Sequence, residues 1–196
     1  MFHLLEATIH FGVPGHIVEL GCNTGQSAAL FQRIIDANDA TRELHLYDSF
    51  EGLPDVVSKD GSTVFSKGEM SVSEREVINN FQSLGLKMPN IHKGWFQDTL
   101  PTELPDQIAF AHLDGDLYSS ILESLEHVYP RLSPGAVCLI DDYANLDLFG
   151  SVDLAPGVKQ ACDEFLSGKP EKVSLLYGGF DSRLGYGSHG YFRKVG

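Results

Sequence analysis

The sequence is short of positive charge. Its 14 lysines and arginines stand against 27 aspartates and glutamates, a formal charge of −13. A protein that grips a phosphate backbone needs a basic face, so nucleic acid is excluded as a partner. Cysteine is scarce too. Cys22, Cys138 and Cys162 are odd in number and share no spacing, which makes no disulfide framework and reads as reduced thiols, the last two in the core. No apolar run approaches the ~18 residues that span a bilayer, and the N-terminus lacks a signal peptide's basic flank. A cytoplasmic protein without membrane contact is expected. Internal repeats and low-complexity tracts are missing as well. What remains is 196 residues, 42% hydrophobic, enough for one core and one domain over residues 1–196. The acidic balance suits a cationic ligand, and serves solubility equally well.

What is present centres on Ala109 to Tyr118. An apolar run, Ile108 to Leu113, ends in Asp114-Gly-Asp116, and Ser119-Ser120 then caps a helix. A second apolar run, Ala136 to Ile140, ends in Asp141-Asp142. Apolar runs ending in acid and joined by an amphipathic helix read as a βαβ unit. In open α/β sheets the ligand lies beyond the carboxyl ends of the strands. Four carboxylates are therefore expected at one site.

The flanking chain repeats the alternation. A short helix over Phe2 to Phe11 is ended by Gly12 and Pro14. Strands follow at His16 to Leu20, Leu44 to Tyr47 and Asn90 to Lys93, with a helix carrying Ala28, Phe31 and Ile35 after the first. Glu51 to Met70 is long, polar and broken by glycines and Pro54, the pattern of a lid or binding loop. Ser71 to Glu74 offers a capping box for the next helix, and Ser120 with Glu123 offers another. Tyr143 to Ala155 reads as a loop before a helix that starts near Pro156 and stops at Gly168. Val173 to Tyr177 and Tyr191 to Lys194 close the chain as an antiparallel hairpin. The expected fold is α/β: a doubly wound, mostly parallel sheet with that hairpin at its end.

The first strand ends in Glu19-Leu-Gly21-Cys-Asn-Thr-Gly25. A dinucleotide fingerprint would need glycine where Asn23 and Gln26 stand, which disfavours a nicotinamide oxidoreductase. Glu-x-Gly-x-x-x-Gly is instead the loop shape of class I methyltransferases, whose S-adenosylmethionine carries a sulfonium and no phosphate. A carboxylate at a strand end suits that charge, and Asp48, ending the second strand, is placed for ribose hydroxyls. Singly, Glu19 and Asp48 read equally well as solvated strand ends.

Several stretches together resemble the macrocin O-methyltransferase family: Ile17 to Phe31, Leu46 to Pro54, Gly94 to Pro101, Leu113 to Ser120, Ile140 to Tyr143 and Gly157 to Phe165. They run in order through most of the chain. The resemblance implies methylation of sugar hydroxyls on glycosylated natural products, using S-adenosylmethionine and a divalent metal, usually magnesium. It implies Asp114, Asp141 and Asp142 as metal ligands and Asp116 as general base. It implies Glu19, Gly21, Asn23, Ser27, Asp48 and Ser49 around the cofactor, with Trp95 and Phe96 beside the adenine. A homo-oligomer is compatible with it.

The residues support that chemistry by themselves. An alcohol gives up its proton reluctantly, and a coordinated divalent metal lowers the pKa of a bound oxygen by many units. Carboxylates plus water are the hard oxygen set magnesium prefers, and acids ending neighbouring strands ~4.8 Å apart can share one ion. Clustered without a counter-ion they would repel, and neither motif contains Arg or Lys. Capping and helix-terminus compensation are the bland readings of these acids. His112, between apolar residues, reads as a packed strand residue and stands second in line as a base. A phenol or catechol methyltransferase and a non-catalytic cofactor-binding module are the alternatives.

Overall fold

The alternation becomes a single sheet in the computed structural model, which describes residues 1–145, 153–181 and 185–196. Its strands are β1 (His16–Leu20), β2 (Leu44–Asp48), β3 (Asn90–Lys93), β4 (Ile108–Leu113), β5 (Leu132–Asp141), β6 (Ser174–Asp181) and β7 (Gly185–Arg193). The helices are α1 (Phe2–His10), α2 (Gln26–Asn38), α3 (Glu74–Ser83), α4 (Phe96–Glu103), α5 (Tyr118–Val128) and α6 (Pro156–Leu166). Strand order is β3-β2-β1-β4-β5-β7-β6, with β1 to β5 parallel and β7 antiparallel to both neighbours. The doubly wound sheet and its terminal hairpin are as expected. Of the Tyr143 to Ala155 loop, residues 146–152 lie outside the described residues.

Strand residues alternate between two cores because the side-chain period is two. Ile17, Phe110 and Leu139 meet α1, α2 and α3 through Leu5, Phe31 and Phe81. Val18, Ala111 and Ile140 meet α4, α5 and α6 through Leu100, Ile121 and Val158. Winding from β1 goes one way to β2 and the other way to β4, so the ends of β1 and β4 flank the switch point where ligands bind in such sheets.

Two local expectations are corrected. The capping box of α3 is Ser73 with Glu76, two residues later than Ser71 to Glu74: the Glu76 carboxylate accepts from the Ser73 N–H at 2.7 Å and hydroxyl at 2.9 Å. Ser120 and Glu123 lie inside α5, whose first N–H, that of Tyr118, is instead taken by Asp60 at 2.6 Å. Helix α4, with Pro101 inside it, is an element the sequence reading did not assign.

Glu171 clamps the end of the chain. Its buried carboxylate accepts from the Tyr129 hydroxyl at 2.7 Å, the Val195 N–H at 3.0 Å and Lys194 at 3.3 Å. Burial alone would raise its pKa, but these donors outweigh it and hold the group at about 2. An unfolded glutamate titrates near ~4.3. The contribution to stability is thus complete above that pH and is lost as pH falls toward 2. It amounts to about 3 kcal/mol. Glu171→Gln is expected to lose stability at pH 7 and to show a flatter acid limb than the parent between pH 4.5 and 2. Urea midpoints across that range check this, and parallel acid limbs would refute it.

Candidate active site

The site is built where four strands stop. Gly21 follows β1, Asp48 ends β2, Asp114 follows β4 and Asp141 ends β5. A cavity of about 390 Å³ opens there, lined by Gly21, Asn23, Asp48, Ser49, Trp95, Phe96, Asp114 and Asp116 among others. Six of the eight residues expected around a cofactor thus line one cavity. Trp95, which as a lone tryptophan reads equally well as core filler, is on its wall.

Glu19 and Ser27 are the two that do not line it. Glu19 is fully buried; its Oε1 accepts the Ser27 hydroxyl at 2.6 Å and meets His112 Nδ1 at 2.8 Å. The register explains this, because Glu19 and His112 are partners across β1 and β4 and point to the α2 face. Glu19 Oε2 and His112 Nε2 are left without hydrogen-bond partners. These residues form the floor of the site and not its lining.

Asp48 has a role the sequence did not suggest. Its Oδ2 accepts the N–H groups of Cys22 and Asn23, each at 3.0 Å, and its Oδ1 accepts that of Phe50 at 2.8 Å. It therefore stitches the turn after β1 to the turn after β2. Asn23 adds a contact to the Met70 carbonyl at 3.4 Å, at the far end of the Glu51 to Met70 segment.

That segment covers the cavity with Gly52, Leu53, Pro54 and Met70. Its middle makes contacts with α5 and α6 and the chain before α6. Asp60 is fully buried under the N-terminus of α5, Lys59 contacts Tyr118 and Glu164, and the Thr63 hydroxyl donates to the Leu154 carbonyl at 3.0 Å. Opening the middle of the segment would withdraw Asp60 from Tyr118 and leave the first N–H of α5 without its cap, a cost of about 1 kcal/mol or more.

The acids gather beside the cavity. One ligand atom from each of Asp114, Asp116 and Asp142 lies within 4.8 Å of the others, and so does one from each of His112, Asp114 and Asp141. Asp114 joins the two groups. Asp141 and Asp142 do not line the cavity; Asp141 has one oxygen against His189 Nδ1 and the other 3.9 Å from His112 Nε2. Asp116 and Asp142 adopt φ values of 58° and 53°, strained for residues with a Cβ and the kind of strain that collects at functional sites.

Electrostatics match that crowding. Burial, then Asp141, Asp116 and Asp142, pushes Asp114 well above the carboxylate range. Burial, then Asp142 and Asp141, lifts Asp116 to about 8, and burial with Asp141 lifts Asp142 to about 6. Burial would raise Asp141 too, but His189 outweighs it and keeps that group low. The charged neighbours that act most strongly on Asp114 and Asp116 are acidic. Clustered oxygens at such a cost are the donor set of a hard divalent cation, and the residues fit one. The cavity, with aromatic walls and carboxylates at hand, likewise fits a cofactor bearing an aromatic base and positive charge. His189 was missed in the sequence: it pairs with Asp141 only through the antiparallel register of β5 and β7.

Comparison with known proteins agrees with this geometry. A family model described as macrocin-O-methyltransferase (TylF) matches residues 1–165. The 8-demethyl-8-(2,3-dimethoxy-alpha-L-rhamnosyl)-tetracenomycin-C 4'-O-methyltransferase of Streptomyces olivaceus is 37% identical over 151 residues, 72% of this chain and 58% of that protein. The demethyldecarbamoylnovobiocin O-methyltransferase of Streptomyces niveus is 36% identical over 171 residues, 82% of this chain and 62% of that protein. The chain therefore spans about three fifths of the length of these relatives. The solved structure of the O-methyltransferase NovP superposes with a TM-score of 0.81 at 30% identity, covering 100% of this chain and 78% of that one.

Proposed function

The chain belongs to the macrocin O-methyltransferase family, and from that we propose that it transfers a methyl group from S-adenosylmethionine to a hydroxyl of a small-molecule natural product. A sugar hydroxyl is the acceptor we favour, because one relative is named for a rhamnosyl-bearing tetracenomycin. The observation that carries the reading is that a single cavity is lined by Trp95 and Phe96 and also by Asp48, Asp114 and Asp116.

When bound, S-adenosylmethionine supplies an electrophilic methyl and a divalent ion such as magnesium acidifies the acceptor hydroxyl. Gly21, Asn23, Asp48 and Ser49 would hold the cofactor, with Trp95 and Phe96 beside its adenine. Asp114, Asp141 and Asp142 would hold the metal. His189 pairs with the carboxylate of Asp141 and would orient it as a ligand, the role a partner of a ligating group usually plays. Glu19 and Ser27 steady the floor through the bond to His112. Asp116, at the cavity wall, receives the proton of the attacking hydroxyl.

Incubation with labelled methyl donor, magnesium and a panel of glycosides tests the proposal. Label is expected on a sugar hydroxyl, lost with chelator and regained on adding magnesium. Full transfer in chelator would remove the metal from the reading. Cofactor binding by calorimetry without transfer to any hydroxyl would favour a non-catalytic binding module.

A further inference from the structure

We propose that His16, Glu43 and His45 form a separate metal site, for zinc or a similar late first-row divalent ion, at the end of the sheet away from the cavity. His16 opens β1, and Glu43 and His45 flank the first residue of β2, where Val18 pairs with His45. One ligand atom from each of the three lies within 4.8 Å of the others. The candidate active site lies beyond the opposite ends of the same strands, so the two groups are separated by the length of β1.

Proximity alone would be a weak case. The stronger observation is the hydrogen-bond chain behind His45. Its Nδ1 meets His92 Nε2 at 3.1 Å, and His92 Nδ1 meets the Glu103 carboxylate at 2.7 Å. A carboxylate only accepts, so His92 carries its proton on Nδ1 and offers Nε2 as an acceptor. His45 must then donate from Nδ1, which leaves the lone pair on Nε2. That lone pair faces Glu43 at 3.5 Å; the Asn90 amide, also at 3.5 Å, is too far for a good hydrogen bond. A histidine whose second nitrogen is tied through another group to a carboxylate has the arrangement that orients metal ligands.

The surroundings hold that arrangement still. Tyr47 stacks on the His92 ring at 4.4 Å with the planes 7° apart, and Tyr47 itself is fully buried. The Glu43 N–H donates to His16 Nδ1 at 3.2 Å, a long bond; an ion held at Nε2 requires the other tautomer, with the proton on Nδ1, and replaces that bond. Glu43 is half exposed, so water can complete the coordination. Two imidazoles and one carboxylate suit zinc, cobalt, nickel or copper, whereas magnesium prefers the all-oxygen cluster at the other end. Such an ion would tie β1 to β2 and act on stability.

Titration of the full chain with zinc, and with cobalt followed by its visible absorption, tests this in excess magnesium. The magnesium is there to fill the acidic cluster, on the function proposed above. One equivalent of zinc is expected to bind and to raise the melting temperature, and cobalt should show the bands of nitrogen ligation. His16→Gln, at a half-buried position, and Glu43→Gln, at an exposed one, should abolish the high-affinity equivalent, and His92→Phe should weaken it ~10- to 100-fold. Asp141→Asn should leave it unchanged. The proposal is overturned by no zinc binding above the magnesium background, by parental affinity in His16→Gln and Glu43→Gln, or by loss of the equivalent in Asp141→Asn.

Discussion

Asp116→Asn is expected to lower turnover by about 100- to 10,000-fold while the cofactor and a divalent ion still bind. Asparagine tolerates the left-handed conformation that Asp116 adopts at φ 58°, so the backbone of the loop should survive the change. What disappears is the proton acceptor. The pair Asp116 and Asp142 also shares a hydrogen bond, and the amide can replace that contact. Single-turnover methyl transfer measures the loss, and calorimetry with S-adenosylmethionine and with magnesium measures what is kept. Unchanged turnover would move the base elsewhere, with His112 next in line. Loss of metal affinity together with turnover would make Asp116 a ligand, a role its distance to Asp114 and Asp142 permits.

Gly21→Ala should cost about as much activity, for a purely steric reason. Gly21 has φ +85°, and a Cβ there would lie 1.8 Å from the Asp114 carbonyl oxygen. That oxygen is backbone and cannot swing aside. Relief requires β1 and β4 to part at their ends, where the Asp114 N–H now donates to the Leu20 carbonyl at 2.8 Å. Forcing a Cβ into the left-handed region costs roughly 1–3 kcal/mol, and overpacking adds roughly 1–3 more. Gly12→Ala is the comparison. It shares the positive φ, +67°, but nothing lies within 4 Å of the added carbon. Its cost should be only ~1–2 kcal/mol, with activity intact. Denaturant midpoints and methyl-transfer rates for the two variants separate conformation from collision. Equal destabilisation in both would show that the close approach at Gly21 is easily relaxed.

Much of the molecule can be read without coordinates, for identifiable reasons. Strand and helix periods are local, so β1, β2, β4 and α6 are placed within a residue or two. Asn23 and Gln26 argue against a dinucleotide because that fingerprint depends on adjacent glycines. The acids sit at strand ends, which sequence marks as the places where apolar runs stop. Tertiary structure decided the rest, because its contacts join residues with no shared period. Asp60 caps α5 from 58 positions away, displacing the local signal at Ser120 and Glu123. Glu19 reaches His112 across 93 positions, so a residue read as a cofactor contact becomes part of the floor. His189 meets Asp141 only because β7 runs antiparallel beside β5. Which acids stand together, and which of them face the cavity, depends on strand order and register, and neither is written in any one segment of the chain.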